Sequence, residues 1–420
     1  MKIDRSILLV AALTLIGFGL RIYKVEIPDR TMGDEVYYVP AARSILGQNE
    51  DNVPRDRISA HPPLGKMIIA AGMLLFGDNP FGWRVMSVVA GTLIIPVFYL
   101  LMRRLAEGRK ELTSTPLLAT FIISFETLGF YFSRVARIDI FMMLFFLVGV
   151  YFLLDKHPFR RFLAAPFFAA SFLSKEVAVL LVLPALVYVG IKVKTKKDRL
   201  GTKKTYYFDF KTFVLLAAAT AASAALLWYF LEWVVLTPTR PNLLDRVLVM
   251  FSRLDITNPA AVGRSEIWMW FFNQPVTRAA ATLPGVRIDF STVVVGPLLN
   301  PGLRYAYIVQ PSWTLVLLMV PVSLYAAFKA GSDSIARFAA LSWFGTLLGW
   351  ILVNVLYRGL MYLFYVLTLL PPIVVGLSWV LGIQLFLEKK TKSVKWFAIT
   401  LVFLLLHTAN FLALYPVPFS

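Results

Sequence analysis

The sequence contains no cysteine, and only three of its 420 residues are histidine. The absence of cysteine excludes disulfide bonds and thiolate metal sites. The histidines, His61, His157 and His407, are far apart in the chain, which argues against a histidine metal cluster. Charged residues are also scarce, at 16%. Carboxylates, lysines and arginines are therefore the candidate chemical groups.

Hydrophobic residues dominate the chain instead. They make up 58% of it, phenylalanine alone occurs 34 times, and the mean hydropathy is +0.71. Apolar runs recur along the whole chain, and their lengths are close to the ~20 residues needed to cross a hydrocarbon core. Repeated runs of this length are typical of a polytopic membrane protein. The net charge of +18 is explained by membrane topology, so no nucleic-acid partner is expected.

The apolar runs predict an all-α polytopic membrane protein with about eleven transmembrane helices. The first run, Ile7 to Leu20, follows Lys2 and Arg5 and resembles a signal peptide. We favour an uncleaved span, because no small-x-small cleavage pattern directly follows it and similar runs recur downstream. The predicted spans are centred near Leu13, Leu93, Ile122, Leu147, Ala169, Leu183, Ala222, Val320, Leu347, Pro371 and Val402.

Charged segments between the predicted spans indicate the orientation. Basic segments alternate with less basic ones, and placing the basic ones in the cytoplasm follows the positive-inside rule. The N-terminus is then cytoplasmic, while the C-terminus and two long loops, 22–82 and 237–312, lie on the outer side. We expect one transmembrane domain over 1–420, with short interfacial helices in the two outer loops and no separate soluble domain.

The second outer loop carries an aromatic cluster. Its stretch "SEIWMWFFNQP" contains Trp268, Trp270, Phe271 and Phe272, which favours a helix lying in the headgroup layer. Two interpretations stay open for these side chains. They form an aromatic belt at the membrane boundary, or they contact a substrate.

Ionisable residues gather at the predicted outer membrane boundary. Each one alone is explained by a snorkelling side chain or a helix-end ion pair. The convergence of five separate segments at one depth favours a functional site, whereas a transporter would more often place such residues near the bilayer midplane. The residues are Asp34, Glu35, His61, Lys66, Arg84, Arg134, Asp139, Lys175, Glu176 and Arg358.

A lipid phosphate lies at that depth and suggests the chemistry. Lysine and arginine would hold its oxygens and, if the phosphate carries a sugar, stabilise the charge that grows as the glycosidic bond breaks. A carboxylate can take the proton from an incoming hydroxyl. Asp34 and Glu35 would point about 100° apart on a helix, so different roles are more natural than a shared ligand. Glycosidase carboxylates come from separated positions, so hydrolysis is less favoured.

The stretch "HPPLGK" adds a constrained approach to a helix. Pro62 and Pro63 exclude helix through their own positions, and a helix is expected to begin near Gly65 and Lys66. The stretch either serves only to begin that helix or also points Lys66 toward a phosphate.

These motifs resemble the dolichyl-phosphate-mannose protein mannosyltransferases and related lipid-phosphate-sugar transferases of the GT-C superfamily. The resemblance is carried by "DE" in the first outer loop, "HPPLGK", "WRVMSVVAGTLIIPVFYLLMRR", "SRVARID", "SKEV" and "SEIWMWFFNQPV". It implies a GT-C fold and an inverting transferase whose site faces the lumen or the cell exterior. The donor would be a dolichyl- or polyprenyl-phosphate sugar, with mannose expected and no cofactor or divalent metal required.

The resemblance also implies residue roles. Asp34 would be the general base, and Glu35 would help to hold the acceptor or the base. The donor phosphate is expected at Lys66, Arg84, Arg134 and Arg358, with His61, Pro62, Pro63, Asp139 and Lys175 in support and Tyr37, Trp268 and Trp270 on the acceptor side.

The chain also departs from the family. Tyr37 stands where eukaryotic members carry a histidine, and the late segment offers Tyr362 and Tyr365 in place of a histidine pair. The chain lacks the family's soluble MIR modules, so the acceptor is left open. Transfer to Ser or Thr of a protein is the first hypothesis; transfer to a lipid or glycan, as in aminoarabinose transferases, and transport of a lipid-linked sugar are the alternatives.

Overall fold

Apolar α-helices form the body of the protein. Its structure, a computed structural model, describes residues 4–48, 61–198, 201–235, 243–252, 265–273, 280–283, 286–289, 296–300, 302–357, 361–391 and 394–419. The α-helices are α1 (Arg5–Ile22), α2 (Glu35–Ile45), α3 (Leu64–Phe76), α4 (Pro80–Leu105), α5 (Thr115–Ser124), α6 (Thr127–Phe132), α7 (Ile138–Leu153), α8 (Pro158–Arg161), α9 (Ala164–Ser174), α10 (Val179–Gly190), α11 (Phe210–Val235), α12 (Leu243–Ser252), α13 (Trp313–Lys329), α14 (Ser334–Tyr357), α15 (Leu370–Thr391) and α16 (Lys395–Ala413). Short 3₁₀ helices cover Lys110–Leu112, Glu176–Ala178, Ile267–Phe272 and Leu363–Leu369.

Each predicted span centre lies within one of these α-helices. Within the described residues, six helical segments are long and apolar enough to cross a membrane: α1, α4, most of α11, most of α14, Leu363–Lys389 and α16. Four shorter apolar segments are α3, α7, Glu176–Gly190 and α13. The chain is a multi-pass membrane protein, while the count of about eleven spans stays a prediction.

The helices differ in how much of their surface the bundle buries. In Leu363–Lys389, which contains most of α15, 89% of the apolar window is buried, and in α4 61%. The corresponding share is 17% in α1, α11 and α16. Exposed apolar surface of this kind suits contact with lipid. Thus α4 and α15 form the centre of the bundle, and α1, α11 and α16 lie at its rim.

Local sequence signals determine where α4 begins and what it packs against. Asn79 caps the helix by accepting a hydrogen bond from the Gly82 amide at 3.0 Å, and Pro80 occupies the first turn, where its missing N–H costs nothing. Further along, a Cβ on Gly91 would lie 2.1 Å from the Cβ of Ser133. The helix therefore packs closely against the segment that joins α6 to α7.

Two small sheets accompany the helices. β1 (Ile191–Asp198) and β2 (Gly201–Phe208) form an antiparallel hairpin between α10 and α11. In the second outer loop β3 (Ala280–Leu283) pairs antiparallel with β4 (Val286–Asp289), which pairs in parallel with β5 (Tyr305–Ile308). The helix expected at the aromatic cluster is the 3₁₀ helix Ile267–Phe272.

Loops from separate parts of the chain meet at one end of the bundle. The start of α2 contacts α4 through Glu35 and Arg84. The start of α7 contacts the segment before α10 through Asp139 and Lys175. The helix ends thus carry the charged motifs into one neighbourhood.

Candidate active site

Asp34 and Glu35 lie at the start of α2 in different surroundings. Asp34 immediately precedes the helix, and its side chain is 31% exposed. Glu35 is the first helical residue and is fully buried. Neighbouring side chains at a helix start point in different directions, so only Asp34 is accessible to a substrate.

Glu35 fastens the first outer loop to its neighbours. Its carboxylate accepts four hydrogen bonds, from Nε and Nη2 of Arg84 at 2.8 and 2.9 Å, the Met32 amide at 2.9 Å and the Ala136 amide at 2.8 Å. A carboxylate offers about four acceptor sites, so its capacity is used. Glu35 therefore has a structural role, and these bonds argue against the expectation that it holds the acceptor or the base directly.

Arg84 has no donor left for a phosphate. Besides its two bonds to Glu35, its guanidinium donates to the carbonyl oxygens of Val25, Pro28 and Arg30 at 2.8 to 2.9 Å. These contacts use all five N–H groups, and the side chain has no exposed surface. We correct the expected phosphate role: Arg84 holds the first outer loop to α4.

Arg134 binds the end of α1. Its Nη1 lies 2.8 to 2.9 Å from the carbonyl oxygens of Leu20, Arg21 and Tyr23, and its Nη2 donates to that of Lys24 at 3.1 Å. The last carbonyls of a helix lack partners and carry partial negative charge, which a buried cation stabilises. The expected phosphate contact of Arg134 is corrected to this capping role.

The HPP segment begins α3, which starts directly after Pro63, with Pro62 and Pro63 both buried. His61 Nδ1 lies 2.8 Å from Glu176 Oε2. Lys66 donates to the carbonyl oxygen of His61 at 2.5 Å and is 1% exposed. This hydrogen bond fastens the start of α3, and the expectation that Lys66 points toward a phosphate stays a prediction.

Sequence reasoning missed Arg137, which lies between two carboxylates. Its Nη2 is 2.5 Å from Asp34 Oδ2, and its Nε is 3.2 Å from Asp139 Oδ2. Asp139 Oδ1 also pairs with Lys175 Nζ at 2.7 Å. Burial opposes the charged form of Arg137, but the two carboxylates outweigh it and hold the pKa of Arg137 well above its usual value. Four charges of alternating sign therefore connect Asp34 to Lys175.

Gly33 closes the turn before Asp34 against β5. Its φ is +51°, and a Cβ on this residue would lie 3.0 Å from the Tyr307 hydroxyl. Both the left-handed backbone and the close contact favour glycine. Burial raises the pKa of Tyr307 to about 12, so a protonated hydroxyl lies beside this turn at neutral pH.

The remaining predicted residues lie in different environments. Tyr37 and Trp268 are exposed, whereas Trp270 is fully buried and packs edge-on against Trp350. The expected acceptor-side position of Trp270 is therefore wrong, because its ring belongs to the core. Arg358 lies outside the described residues.

An apolar groove passes between α10 and α14. Its volume is about 850 Å³, and it extends from Val179 to the hairpin at Tyr206, with Leu183 and Phe344 among its walls. Val179 is the first residue of α10, shortly after Lys175. The groove thus begins four residues after Lys175 in the sequence, and its walls suit a hydrocarbon chain.

The accessible polar groups of the cluster suit acid–base chemistry beside an anion. The side chains of Asp34, His61 and Glu176 are 31%, 26% and 14% exposed. Over the described ranges, no three His, Asp or Glu side chains converge as a possible metal site. The arrangement can accept a proton at Asp34 and place a negative group near His61 and Lys175.

Comparisons with known proteins agree with the motifs. The family model described as dolichyl-phosphate-mannose-protein mannosyltransferase matches residues 60–228. The chain is 36% identical over 114 residues to polyprenol-phosphate-mannose–protein mannosyltransferase of Mycolicibacterium smegmatis, covering 27% of this chain and 21% of that relative. It is 34% identical over 122 residues to undecaprenyl phosphate-alpha-4-amino-4-deoxy-L-arabinose arabinosyl transferase of Pseudomonas paraeruginosa, covering 26% and 21%. The chain thus aligns with about a fifth of the length of these curated relatives.

The fold has a solved counterpart over its whole length. The Saccharomyces cerevisiae protein O-mannosyltransferase Pmt1-Pmt2 complex bound to the sugar donor superimposes with a TM-score of 0.68 and 11% identity, covering 100% of this chain and 91% of that chain. At this identity the likeness establishes the fold alone, and the predicted GT-C fold is confirmed. With the family match, the predicted resemblance to the lipid-phosphate-mannose transferases is also confirmed.

Proposed function

We propose that this GT-C membrane protein is an inverting glycosyltransferase that moves mannose from a dolichyl or polyprenyl phosphate to a hydroxyl, with Ser or Thr of a protein as the acceptor. The observation that carries the proposal is the accessible carboxylate of Asp34, held by Arg137 beside a buried cationic cluster. The family match and the names of the curated relatives support the class of donor.

The apolar groove is the proposed position of the donor's isoprenoid chain. A chain lying between α10 and α14 would place its phosphate near the start of α10, where the groove begins at Val179. Lys175, His61 and, from the sequence, Arg358 are the side chains that we assign to this phosphate. Fixed cations can stabilise the leaving group without a divalent metal or a cofactor.

Asp34 is the proposed general base. Among the described residues, its Oδ2 is held by Arg137 and its Oδ1 has no partner, so Oδ1 can accept the proton of the acceptor hydroxyl. The acceptor oxygen then bonds to the anomeric carbon as the bond from that carbon to the phosphate oxygen breaks. The electron pair leaves with the lipid phosphate, and attack opposite the leaving group inverts the configuration. By the positive-inside pattern, this site and the C-terminus lie outside the cytoplasm.

A reconstituted transfer assay tests the proposal. Proteoliposomes would receive radiolabelled polyprenyl-phosphate-mannose and a Ser/Thr-rich peptide, and we expect labelled peptide with an inverted linkage. In the groove, Leu348→Trp should raise KM for the donor with little change in kcat, because it removes binding shared by ground and transition states. Leu226→Trp is the matched control, since Leu226 is 74% exposed on α11 and is not among the groove's wall residues.

Transfer to a glycolipid or glycan is the second candidate, because one 34% identical relative is named as an arabinosyl transferase. Label in an added glycolipid but not in the peptide would select this candidate. Label that crosses the bilayer on its original lipid, without transfer to either acceptor, would select a transporter and contradict the proposed enzyme.

A further inference from the structure

Arg137 is among the most constrained side chains of the charged cluster. Arg137 is 2% exposed, and its guanidinium carbon lies 4.1 Å from the ring centroid of Phe132 and 4.3 Å from that of Phe364. The two rings are tilted by 55° with their centroids 5.8 Å apart, so they contact the guanidinium from adjacent sides. These cation–π contacts and the burial restrict the movement of the guanidinium.

The two ends of the guanidinium contact different carboxylates. Nη2 contacts Asp34, and Nε contacts Asp139, which is itself held by Lys175 at 2.7 Å. Asp139 and Lys175 are both nearly buried, so they form a fixed anchor on one side of Arg137. The other side holds the only exposed member of the row, Asp34.

Asp34 is attached to the fold at two points. The backbone is fixed by the neighbouring residue, since Glu35 is bound by four donors. The side chain is fixed by Arg137 at Oδ2. Loss of the second attachment would leave a short exposed side chain free to rotate about its own bonds.

We propose that Arg137 is a positioning residue: it holds Oδ2 of Asp34 so that Oδ1 faces the acceptor hydroxyl. This inference rests on the proposed function, in which Asp34 is the base. Misplacement of a reacting group by about 1 Å can cost about 10²-fold in rate. Arg137→Met should therefore lower kcat about 100-fold while KM for the donor stays near the wild-type value, because the isoprenoid groove is unchanged.

The matched control is Arg104→Met. Arg104 also pairs with a carboxylate, Asp155, at 3.2 Å and lies 3.8 Å from the Tyr151 ring centroid. It lies in the last turn of α4, at the end opposite Arg84. We expect transfer by Arg104→Met to equal that of the wild type. An equal fall in kcat in both variants would overturn the positioning role.

Chemical rescue separates positioning from folding. In Arg137→Ala the space beside Phe132 and Phe364 that the guanidinium occupied is open, and added methylguanidinium should restore kcat at least about tenfold. The same addition should not help Asp34→Asn/Arg137→Ala. Arg137→Lys, which keeps the charge but loses the planar fork, should be intermediate. Absence of any rescue in well-folded Arg137→Ala, or equal rescue in the double variant, would overturn the proposal.

An infrared measurement keeps the two proposals distinguishable. In protein labelled with ¹³C-carboxyl aspartate, subtraction of the Asp34→Asn spectrum isolates the Asp34 carboxylate bands, and no sugar transfer is needed. These bands should shift in Arg137→Lys and stay unchanged in Arg104→Met. If the bands shift in Arg137→Lys but the wild type transfers no sugar, the contact between Arg137 and Asp34 is supported and the proposed function is refuted. Unshifted bands would refute the attachment itself.

Discussion

Replacing Arg84 with methionine tests whether this arginine supports the fold or binds the donor. The change keeps a long side chain but removes every N–H group. Glu35 would retain two of its four donors, the amides of Met32 and Ala136. Three carbonyl oxygens in the 25–30 segment would also lose their donors. The prediction is a large loss of stability.

The magnitude follows from complete burial. Both side chains of the Arg84–Glu35 pair have 0% exposure, so solvent screens the interaction little. Removing one partner of a buried ion pair costs about 3–5 kcal/mol, because the remaining charge is uncompensated. With an unfolding entropy of about 2.1 cal/mol/K per residue over 420 residues, 1 kcal/mol corresponds to about 1 °C, so the unfolding temperature of Arg84→Met should fall by about 3–6 °C.

Thermal unfolding in detergent, followed by tryptophan fluorescence, measures this loss. The control is the double variant Glu35→Met/Arg84→Met, which leaves no unpaired charge and should be more stable than Arg84→Met alone. The reasoning is refuted if Arg84→Met unfolds at the wild-type temperature while its KM for the donor rises. That result would support the prediction from the sequence that Arg84 binds the donor phosphate.

Three further outcomes are expected. Trp270→Ala should lower the free energy of unfolding by about 3–5 kcal/mol, and Trp268→Ala by less than about 0.5 kcal/mol, because only Trp270 is buried; denaturation in detergent compares them. Burial raises the pKa of Glu126, which precedes α6, from 4.5 to about 7. The folded state therefore keeps this proton to higher pH, so the free energy of unfolding should fall between about pH 4.5 and 7, and Glu126→Gln should remove that component; an unchanged slope would assign it elsewhere. Transfer in excess chelator should equal transfer without it, whereas a strong loss would reassign Asp34 and Glu35 as metal ligands.

The helical framework was predictable because membrane spans impose a length and a composition. Each predicted span centre lies in a helix, since apolar runs near ~20 residues have few alternatives in a bilayer. The β1–β2 hairpin was missed although the sequence signals it. The start of "IKVKTKKD" alternates apolar and polar residues, which is the period of a strand, and a glycine follows three residues after its end. In the second outer loop "VRID" also alternates, but over only four residues, and "AATL" and "YAYI" do not alternate.

The roles of the arginines could not be predicted, because they depend on which atoms the fold places around each guanidinium. In the sequence Arg84 and Arg134 are both cations at a predicted membrane boundary. In the structure Arg84 donates to a buried acid and to carbonyl oxygens, and both Nη atoms of Arg134 donate to carbonyl oxygens. Arg137 lies only two residues before Asp139 in "SRVARID". Its position near a helix end does not predict that Arg137 reaches Asp34, because Asp34 belongs to the first outer loop and is far from Arg137 in the sequence.

Sugar transfer by Asp34→Asn tests the central claim most directly. The substitution keeps the size of the side chain and removes its ability to accept the proton as a carboxylate. With labelled polyprenyl-phosphate-mannose and a Ser/Thr peptide, we expect the wild type to transfer mannose and Asp34→Asn to lose about 10²–10⁴-fold in kcat while still binding the donor. Transfer by Asp34→Asn at the wild-type rate would contradict the account.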